Sequence, residues 1–332
     1  LETGYGEFLQ RNPLTEDSRE ARARALLGLA DARRQAAADD SSRLARADSI
    51  YVQLLTEAAG SPLAPTARFG RASVALHTGD TETAIDSLSA LVPRVSGSRL
   101  QPRVLATLGV ALARAGRHGE AATRLGELLL AFPDFDGRRQ AQELLADTYL
   151  QLRQSQRAGE LFARLAASDP NGDVSGSLRT RQARSLHLAG DYLAALGVYD
   201  RLLAEGAGAL DSVQLARGRL LARLGRTDDA VAAYGRVRGA LAPAAALGAA
   251  DLHFHAGHYE AAWQAYQPRL DDDDARADVV GRAVVCLYEL GRGEEADRWS
   301  QKHRKRFGDD GAWPYLLRLY KGRYLLARRE WD

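Results

Sequence analysis

An alanine recurs along this chain at a nearly constant spacing, and that spacing limits the fold more than any other feature of the sequence. In most copies an aromatic residue or a leucine follows the alanine by four residues, and in seven copies a glycine precedes it by five. The first four separations are all 37 residues, and the later ones lie between 31 and 35, which chance would not produce. We call these residues the anchor alanines: Ala47, Ala84, Ala121, Ala158, Ala195, Ala230, Ala262, Ala296 and Ala327.

Two further markers keep the same register. A small residue lies twelve positions before six of the anchors, at Ala72, Gly109, Ala146, Ala183, Gly218 and Ala250, and a proline lies twelve positions after two of them, at Pro133 and Pro170. Small residues at these positions allow two antiparallel helices to approach closely, and the larger side chain four residues on fills the space beside the contact. A glycine suits the left-handed residue that ends a helix, and a proline cannot continue one. Each repeat is therefore predicted to be one helix pair.

This register places the helix boundaries within each repeat. The last pair depends on Gly322 as its turn, and the residues Asp169 to Gly176 are predicted to form a longer loop between two repeats. The predicted pairs are 18–37/43–59, 65–78/81–93, 102–115/118–132, 138–152/155–168, 177–189/192–205, 211–224/227–240, 243–256/259–269, 277–290/293–307 and 312–321/324–332.

The combined pattern resembles the tetratricopeptide repeat family over roughly residues 20 to 332. The resemblance implies an all-α protein, a right-handed α-solenoid of about eight to nine antiparallel helix pairs. Residues 18–332 would form one continuous array, and residues 1–17 would be the end of a preceding helix or an N-terminal extension. The 37-residue copies and phrases such as residues 128–133 look like repeats of bacterial cell-envelope members of the family, including outer-membrane assembly lipoproteins.

No catalytic pattern stands out in the sequence. P-loop, HExxH and GxSxG motifs are absent, so an enzyme and a bound cofactor are not expected. Two neighbouring histidines of the cluster His253, His255 and His258 diverge on a helix, which disfavours a metal site. The aspartates at 271–274 lack the spacing of a calcium loop and are interpreted as a solvated loop or a helix cap. Cys286 lies in an apolar run and is interpreted as a buried packing residue.

Charge and hydropathy exclude further classes of protein. The net charge is +2, which gives no reason to expect nucleic acid, and no apolar run is long enough to cross a membrane. The basic run from Lys302 to Arg306 fits the C-terminal end of a helix, where cations complement the helix dipole, although it could contact phosphate or acidic lipid. Only three of the 45 basic residues are lysine, a bias typical of a high-GC bacterial genome.

In the family that this chain resembles, the first helix of each pair lines a groove that binds peptides or proteins. The groove positions expected here, for a partner that could be acidic, are Arg181, Arg184, His187, Arg219, Arg223, Asp251, Phe254, His255 and Tyr288. Further positions of the same kind lie earlier in the chain, at Phe69, Ser73, His77, Arg103, Val110, Arg114, Gln140, Glu143 and Asp147. The alternative interpretation is that arginine is simply the common surface residue of this protein.

The sequence therefore predicts a non-enzymatic scaffold for protein interactions, in a bacterial envelope or exported complex. A periplasmic, outer-membrane-associated or extracellular location is favoured over a cytoplasmic one. The alternative is a structural subunit, because the apolar segment 324–331 and the start of the chain, residues 5–9, look uncapped. Copies could then assemble end to end into a filament or a larger oligomer.

Overall fold

The computed structural model describes residues 2–37, 40–168, 175–206 and 210–328, and most of them are α-helical. Contacts divide the chain into two compact units, Leu1–Gly172 and Asp173–Asp332. The described helices of the first unit are α1 (Glu2–Arg11), α2 (Arg19–Ala36), α3 (Ser41–Glu57), α4 (Ala64–His77), α5 (Thr81–Leu91), α6 (Gln101–Arg114), α7 (His118–Ala131), α8 (Arg138–Gln151) and α9 (Ser155–Ser168). Those of the second are α10 (Ser175–Ala189), α11 (Tyr192–Ala204), α12 (Leu210–Arg223), α13 (Thr227–Tyr234), α14 (Ala242–His255), α15 (Tyr259–Tyr266), α16 (Ala277–Glu289), α17 (Gly293–Phe307) and α18 (Ala312–Arg328).

The helices pack in pairs that follow the sequence, as the repeat predicts. The pairs begin with α2 and α3 in the first unit and with α10 and α11 in the second, and each second helix also packs against the first helix that follows it in the same unit. Helix α1 packs on α2, and α18 packs on α16 and α17. The described residues thus form an all-α fold of eight helix pairs with one further helix before them and one after.

The anchor alanines lie at the closest contacts of the pairs. All eight from Ala47 to Ala296 are completely buried, whereas the ninth, Ala327, is exposed. The small residues twelve positions earlier, such as Ala183 and Ala250, are also completely buried. Eight of the nine sequence repeats therefore correspond to helix pairs, and the ninth does not.

Tyr234 illustrates why the small residues are small. Its ring, four residues after Ala230, lies against Gly218 of its own first helix, where an added Cβ would be 2.6 Å from Cε1. Its other edge lies against Gly248 of the next first helix, where an added Cβ would be 2.9 Å from the ring. One aromatic side chain thus holds three helices at a fixed separation.

The turns within the pairs depend on a left-handed residue. The six turn glycines, Gly79, Gly116, Gly190, Gly225, Gly257 and Gly291, have φ between 72° and 87°. In the pair of α8 and α9, which lacks the glycine, Arg153 occupies the same place with φ of 58°. The left-handed conformation is therefore a property of the turn, and arginine adopts it at an energetic cost.

Three predicted boundaries were wrong. The turn at Gly322 is not formed, because α18 runs unbroken from Ala312 to Arg328. No capping residue follows Gly322, and an isolated glycine costs a helix only about 1 kcal/mol. Helix α13 ends at Tyr234 instead of residue 240, before Gly235. Ser175 and Gly176 belong to α10 and not to the preceding loop, while residues 169–174 of that loop, with Pro170, and residues 329–332 lie outside the described residues.

The shorter repeats after Ala230 arise from shorter second helices. Helices α13 and α15 have 8 residues each, compared with 14 in α7 and α9. The first helices keep nearly the same length, with 14 residues in α12 and α14 and 13 in α16. The shorter spacings from Ala230 to Ala296 therefore arise from the short second helices α13 and α15, whereas α17 again has 15 residues.

Replacing Arg153 with glycine should stabilise the protein. The substitution relieves the strain of a left-handed arginine, and part of that gain is offset by the greater flexibility of glycine in the unfolded chain. We expect Arg153→Gly to raise the free energy of unfolding by about 0.5–1 kcal/mol in urea denaturation. The reverse substitution at an equivalent turn, Gly116→Ala, should lower it by about 1 kcal/mol. Equal values for Arg153→Gly and wild type would contradict this account.

A matched pair of glycine substitutions tests the contact at Tyr234. Gly218 and Gly197 both lie inside helices of the second unit, but an added Cβ at Gly197 would meet nothing within 4 Å. Gly197→Ala should stabilise the protein by up to about 1 kcal/mol, as helix propensity predicts. Gly218→Ala should instead destabilise it by about 1–3 kcal/mol, because the methyl group collides with the clamped ring. Changes of the same sign in the free energy of unfolding of both variants, measured by thermal or urea unfolding, would refute the contact at Tyr234.

Candidate functional site

The first helices of the second unit present corresponding positions in successive repeats. The residue after the small marker is Arg184 in α10, Arg219 in α12 and Asp251 in α14. Arg184 and Arg219 are exposed, and within the residues that the structure describes neither forms an ion pair. Two guanidinium groups at equivalent places on consecutive first helices can donate hydrogen bonds to carboxylates of another molecule.

A cluster of aromatic and cationic side chains lies at the C-terminal ends of α10 and α12. The Arg223 guanidinium donates a hydrogen bond to the Tyr192 hydroxyl at 3.0 Å and lies 5.7 Å from the centre of the tyrosine ring. The His187 ring meets the same ring edge-on at a centroid distance of 5.5 Å. Partial burial and the nearby Arg223 charge lower the pKa of His187, so this histidine is mainly neutral at pH 7. Tyr192 was not among the predicted site residues, although its place directly after the turn residues Gly190 and Asp191 could have indicated it.

Arg181 lies one turn before Arg184 on α10. It is half-buried, and its carbonyl oxygen accepts a hydrogen bond from the Ser185 hydroxyl at 2.7 Å. Its side chain is less accessible than those of Arg184 and Arg219. We therefore place Arg181 at the edge of the candidate surface.

Asp251 forms hydrogen bonds with residues of two other helices. Its Oδ1 accepts hydrogen bonds from the Tyr266 hydroxyl at 2.5 Å and from Arg282 at 2.6 Å, and Arg282 also binds Asp278 at 3.0 Å. These contacts join α14, α15 and α16. Asp251 therefore links two repeats through one of its two carboxylate oxygens.

Phe254 and His255 lie at the end of α14. Phe254 is half-buried against the core, and its ring meets those of His255 and Tyr259 edge-on at 5.4 and 6.1 Å. His255 is exposed, whereas the His253 ring lies 6.0 Å from that of His258. In the described part of the chain no group of three histidine, cysteine, aspartate or glutamate side chains converges as metal ligands would.

Three of the predicted groove positions were wrong because neighbouring helices cover them. Tyr288 is only 5% exposed, its hydroxyl donates to Asp297 at 2.6 Å, and its ring lies 5.8 Å from that of Tyr324 in α18. Phe69 and Ser73 of α4 are buried too, and the Arg103 guanidinium lies 5.1 Å from the centre of the Phe69 ring. These side chains belong to helix packing and not to a binding surface.

The basic run of α17 binds the aspartate-rich loop. Lys302 forms an ion pair with Asp271 at 3.1 Å, and Arg306 donates to the carbonyl oxygens of Asp272 and Asp273 at 2.6 and 2.5 Å. The aspartates make no side-chain cap on α16. The loop and the run therefore satisfy each other, which leaves less positive charge for phosphate or lipid.

Cys286 is completely buried in the core of the second unit. Burial raises the pKa of its thiol to about 12, so the thiolate that a nucleophile requires is not formed at neutral pH. The residue is a packing residue of α16.

Three buried tyrosines donate hydrogen bonds to carboxylates: Tyr51 to Asp31, Tyr266 to Asp251 and Tyr288 to Asp297. Burial first, and then the adjacent carboxylate, raises the pKa of all three phenols well above the usual value. A phenol whose pKa is higher in the folded than in the unfolded state stabilises the fold fully below the unfolded pKa of about 10. That contribution is lost as the pH rises above this value.

The protein should consequently unfold in alkali with tyrosine ionisation as a driving force. Above about pH 10 the free energy of unfolding should fall by about 1.4 kcal/mol per pH unit for each tyrosine that stays neutral in the fold. The measurement is urea unfolding from pH 8.5 upward, with absorbance at 295 nm to follow phenolate. Tyr266→Phe should reduce the slope by the amount of one tyrosine, whereas Tyr315→Phe, at an exposed position, should leave it unchanged. An unchanged slope for Tyr266→Phe would contradict the assignment.

The comparisons with known proteins agree with this architecture. The tetratricopeptide repeat family profile matches residues 36–99, 106–173 and 215–277, which is more than half of the chain. A tetratricopeptide repeat protein from Parabacteroides merdae is similar in structure, with 17% sequence identity, 77% of this chain and 98% of that chain covered, and a TM-score of 0.50. The C-terminal part of a repeat protein from Cytophaga hutchinsonii is also similar, with 14% sequence identity and a TM-score of 0.57. The match covers 75% of this chain and 97% of that chain.

A signal-transduction ATPase of Pyrococcus horikoshii with a tetratricopeptide repeat sensor is also similar, at 13% identity and a TM-score of 0.50. The match covers 85% of this chain and 50% of that protein. The comparison with curated proteins finds no match. No described helix is both long and apolar enough to cross a membrane. The matched profile and the eight helix pairs lead to one conclusion: this chain belongs to the tetratricopeptide repeat family.

Proposed function

We propose that this protein is a non-catalytic scaffold that binds an acidic segment of a partner protein on the first helices α10 and α12. Members of its family generally act in protein–protein interactions. The observation that carries the proposal is the pair Arg184 and Arg219, which are exposed at equivalent positions of consecutive repeats and form no ion pair within the described residues. An extended acidic peptide can place successive carboxylates on such a pair.

The surroundings of the two arginines support this choice of ligand. Five exposed arginines of the second unit have a carboxylate partner among the described residues, such as Arg226 with Asp229 at 2.6 Å, whereas Arg184 and Arg219 have none. The Arg223 guanidinium contacts the hydroxyl and the ring of Tyr192, and its positive charge extends the basic surface towards the ends of the helices. The exposed side chains Leu188 and Leu193, at 58% and 73%, lie in the same turn region and can contact apolar residues of the partner.

We further propose that the partner complex lies in the bacterial envelope or is exported. This part of the proposal rests on the 37-residue repeats and the phrases that resemble envelope members of the family. Fractionation of the native host with an antibody to the protein would test it. Recovery from the periplasm, the outer membrane or the medium is expected, and recovery from the cytoplasm alone would exclude it.

A labelled peptide tests the arginine surface without knowledge of the natural partner. Fluorescein-labelled hexaglutamate should bind the wild-type protein in an anisotropy titration, and added salt should weaken the binding. Arg184→Glu with Arg219→Glu should weaken it by at least about tenfold, because each lost charge-assisted contact contributes about 1.5–3 kcal/mol.

The control carries the same change of charge elsewhere in the second unit. Arg201 and Arg236 are exposed and form no side-chain ion pair within the described residues, so Arg201→Glu with Arg236→Glu should reduce binding much less. Equal loss in both double variants would show that the peptide responds only to net charge, and would refute the site. Binding that survives Arg184→Glu with Arg219→Glu would refute it too.

A further inference from the structure

Helix α18 is apolar on two opposite faces. Trp313, Leu317, Tyr320 and Tyr324 pack against the core of the second unit. On the opposite face, Tyr315, Leu319 and Leu326 are 64%, 48% and 49% exposed, with Gly322 between them. A contiguous exposed apolar face on a helix is typical of a surface that a partner covers. We call the three exposed side chains with Gly322 the α18 stripe.

The register of α18 identifies what kind of element fits the stripe. Tyr315, Leu319 and Gly322 are the fourth, eighth and eleventh residues of α18. The same places in α16 hold Val280, Val284 and Leu287, which are at most 2% exposed in the core that α16 shares with its second helix α17. By this register the α18 stripe corresponds to the face on which α16 receives its second helix, although α18 itself packs more on α16 than on α17.

Helix α1 has the complementary character. Its Tyr5 ring lies against Gly28 of α2, just as the ring of Tyr51 lies against Gly70 of the following first helix. Tyr5 therefore takes the place that Tyr51 has in a second helix, and Phe8 takes the place of Leu54, three residues further on. Leu54 is completely buried in the core that α2, α3 and α4 share, whereas Phe8 is 36% exposed. Helix α1 is a second helix whose face towards a first helix is open.

We propose that α1 of one copy of this chain packs on the α18 stripe of another copy. The two open faces are the two halves of one helix pair, so Phe8 would enter the stripe beside Leu319 and Gly322 as Leu54 enters its own pair. Charges of opposite sign flank the two faces: exposed Glu7 lies beside Phe8, and exposed Arg318 and Arg323 lie beside the stripe. Each of the three forms a solvent-exposed ion pair within its own chain, with Arg11, Asp309 and Glu289 respectively. The inference goes beyond the arginine surface, since it uses neither α10 nor α12.

Such a contact joins two different surfaces and is therefore heterologous. One copy offers α1 and the next offers α18, so each added copy leaves one open face of each kind. The assembly grows in one direction unless its rotation closes a ring.

Light scattering after size-exclusion chromatography tests the contact on the chain Leu1–Asp332. The weight-average mass should rise with protein concentration above the 36.0 kDa of one copy. Phe8→Glu and Leu319→Glu should each abolish that rise, because a charge is then placed in an apolar contact. An equimolar mixture of the two variants should form dimers and nothing larger, since each variant keeps one intact face and the two intact faces are complementary.

The control Leu130→Glu changes a leucine that is 87% exposed on α7, outside both faces, and should assemble as the wild type does. Circular dichroism of every variant verifies that it is folded. A wild-type mass of 36.0 kDa at all concentrations would overturn the proposal. Assembly that persists in either single variant would overturn it as well, and so would a mixture that stays monomeric.

Discussion

The contact of one large side chain with a small residue on each neighbouring first helix sets the geometry on which the rest of this structure depends. Tyr234 lies between Gly218 and Gly248, and Tyr51 lies against Gly70. Because the ring lies where an added Cβ would collide with it, it limits the separation of the helices at these glycines. The repeat brings the surface residues of consecutive first helices to equivalent positions. Arg184 and Arg219 face the same way for this reason and not because of a contact between them.

The features that the sequence predicts correctly are those that depend on local packing. A completely buried alanine and a left-handed turn residue have strict steric requirements, so their spacing located eight helix pairs and most of their boundaries. Gly322 had the right spacing but no left-handed conformation, because the residues that follow it continue the helix. The end of α13 at Tyr234 was missed because no marker of the repeat specifies the length of a second helix.

The binding surface was harder to predict, since helix periodicity gives the direction of a side chain but not its neighbours. Tyr288 is buried because its hydroxyl binds Asp297 of α17 and its ring contacts Tyr324 of α18. Asp251 is engaged by Arg282, which is 31 positions away in the sequence. Phe69 is covered by Arg103 of the next first helix. In each case a contact from a helix further along the chain takes part, and only the assembled structure contains that information.

The charge at one repeated position decides whether it serves the fold or a partner. In three successive repeats this position lies near a buried tyrosine: Arg184 near Tyr199, Arg219 near Tyr234 and Asp251 near Tyr266. Aspartate accepts the phenol hydrogen bond and attracts Arg282, so its charge is used within the protein. Arginine cannot accept a hydrogen bond from the phenol, and neither Arg184 nor Arg219 forms an ion pair within the described residues. The three repeats thus differ at this position in charge and in hydrogen bonding, while each has a buried tyrosine beside it.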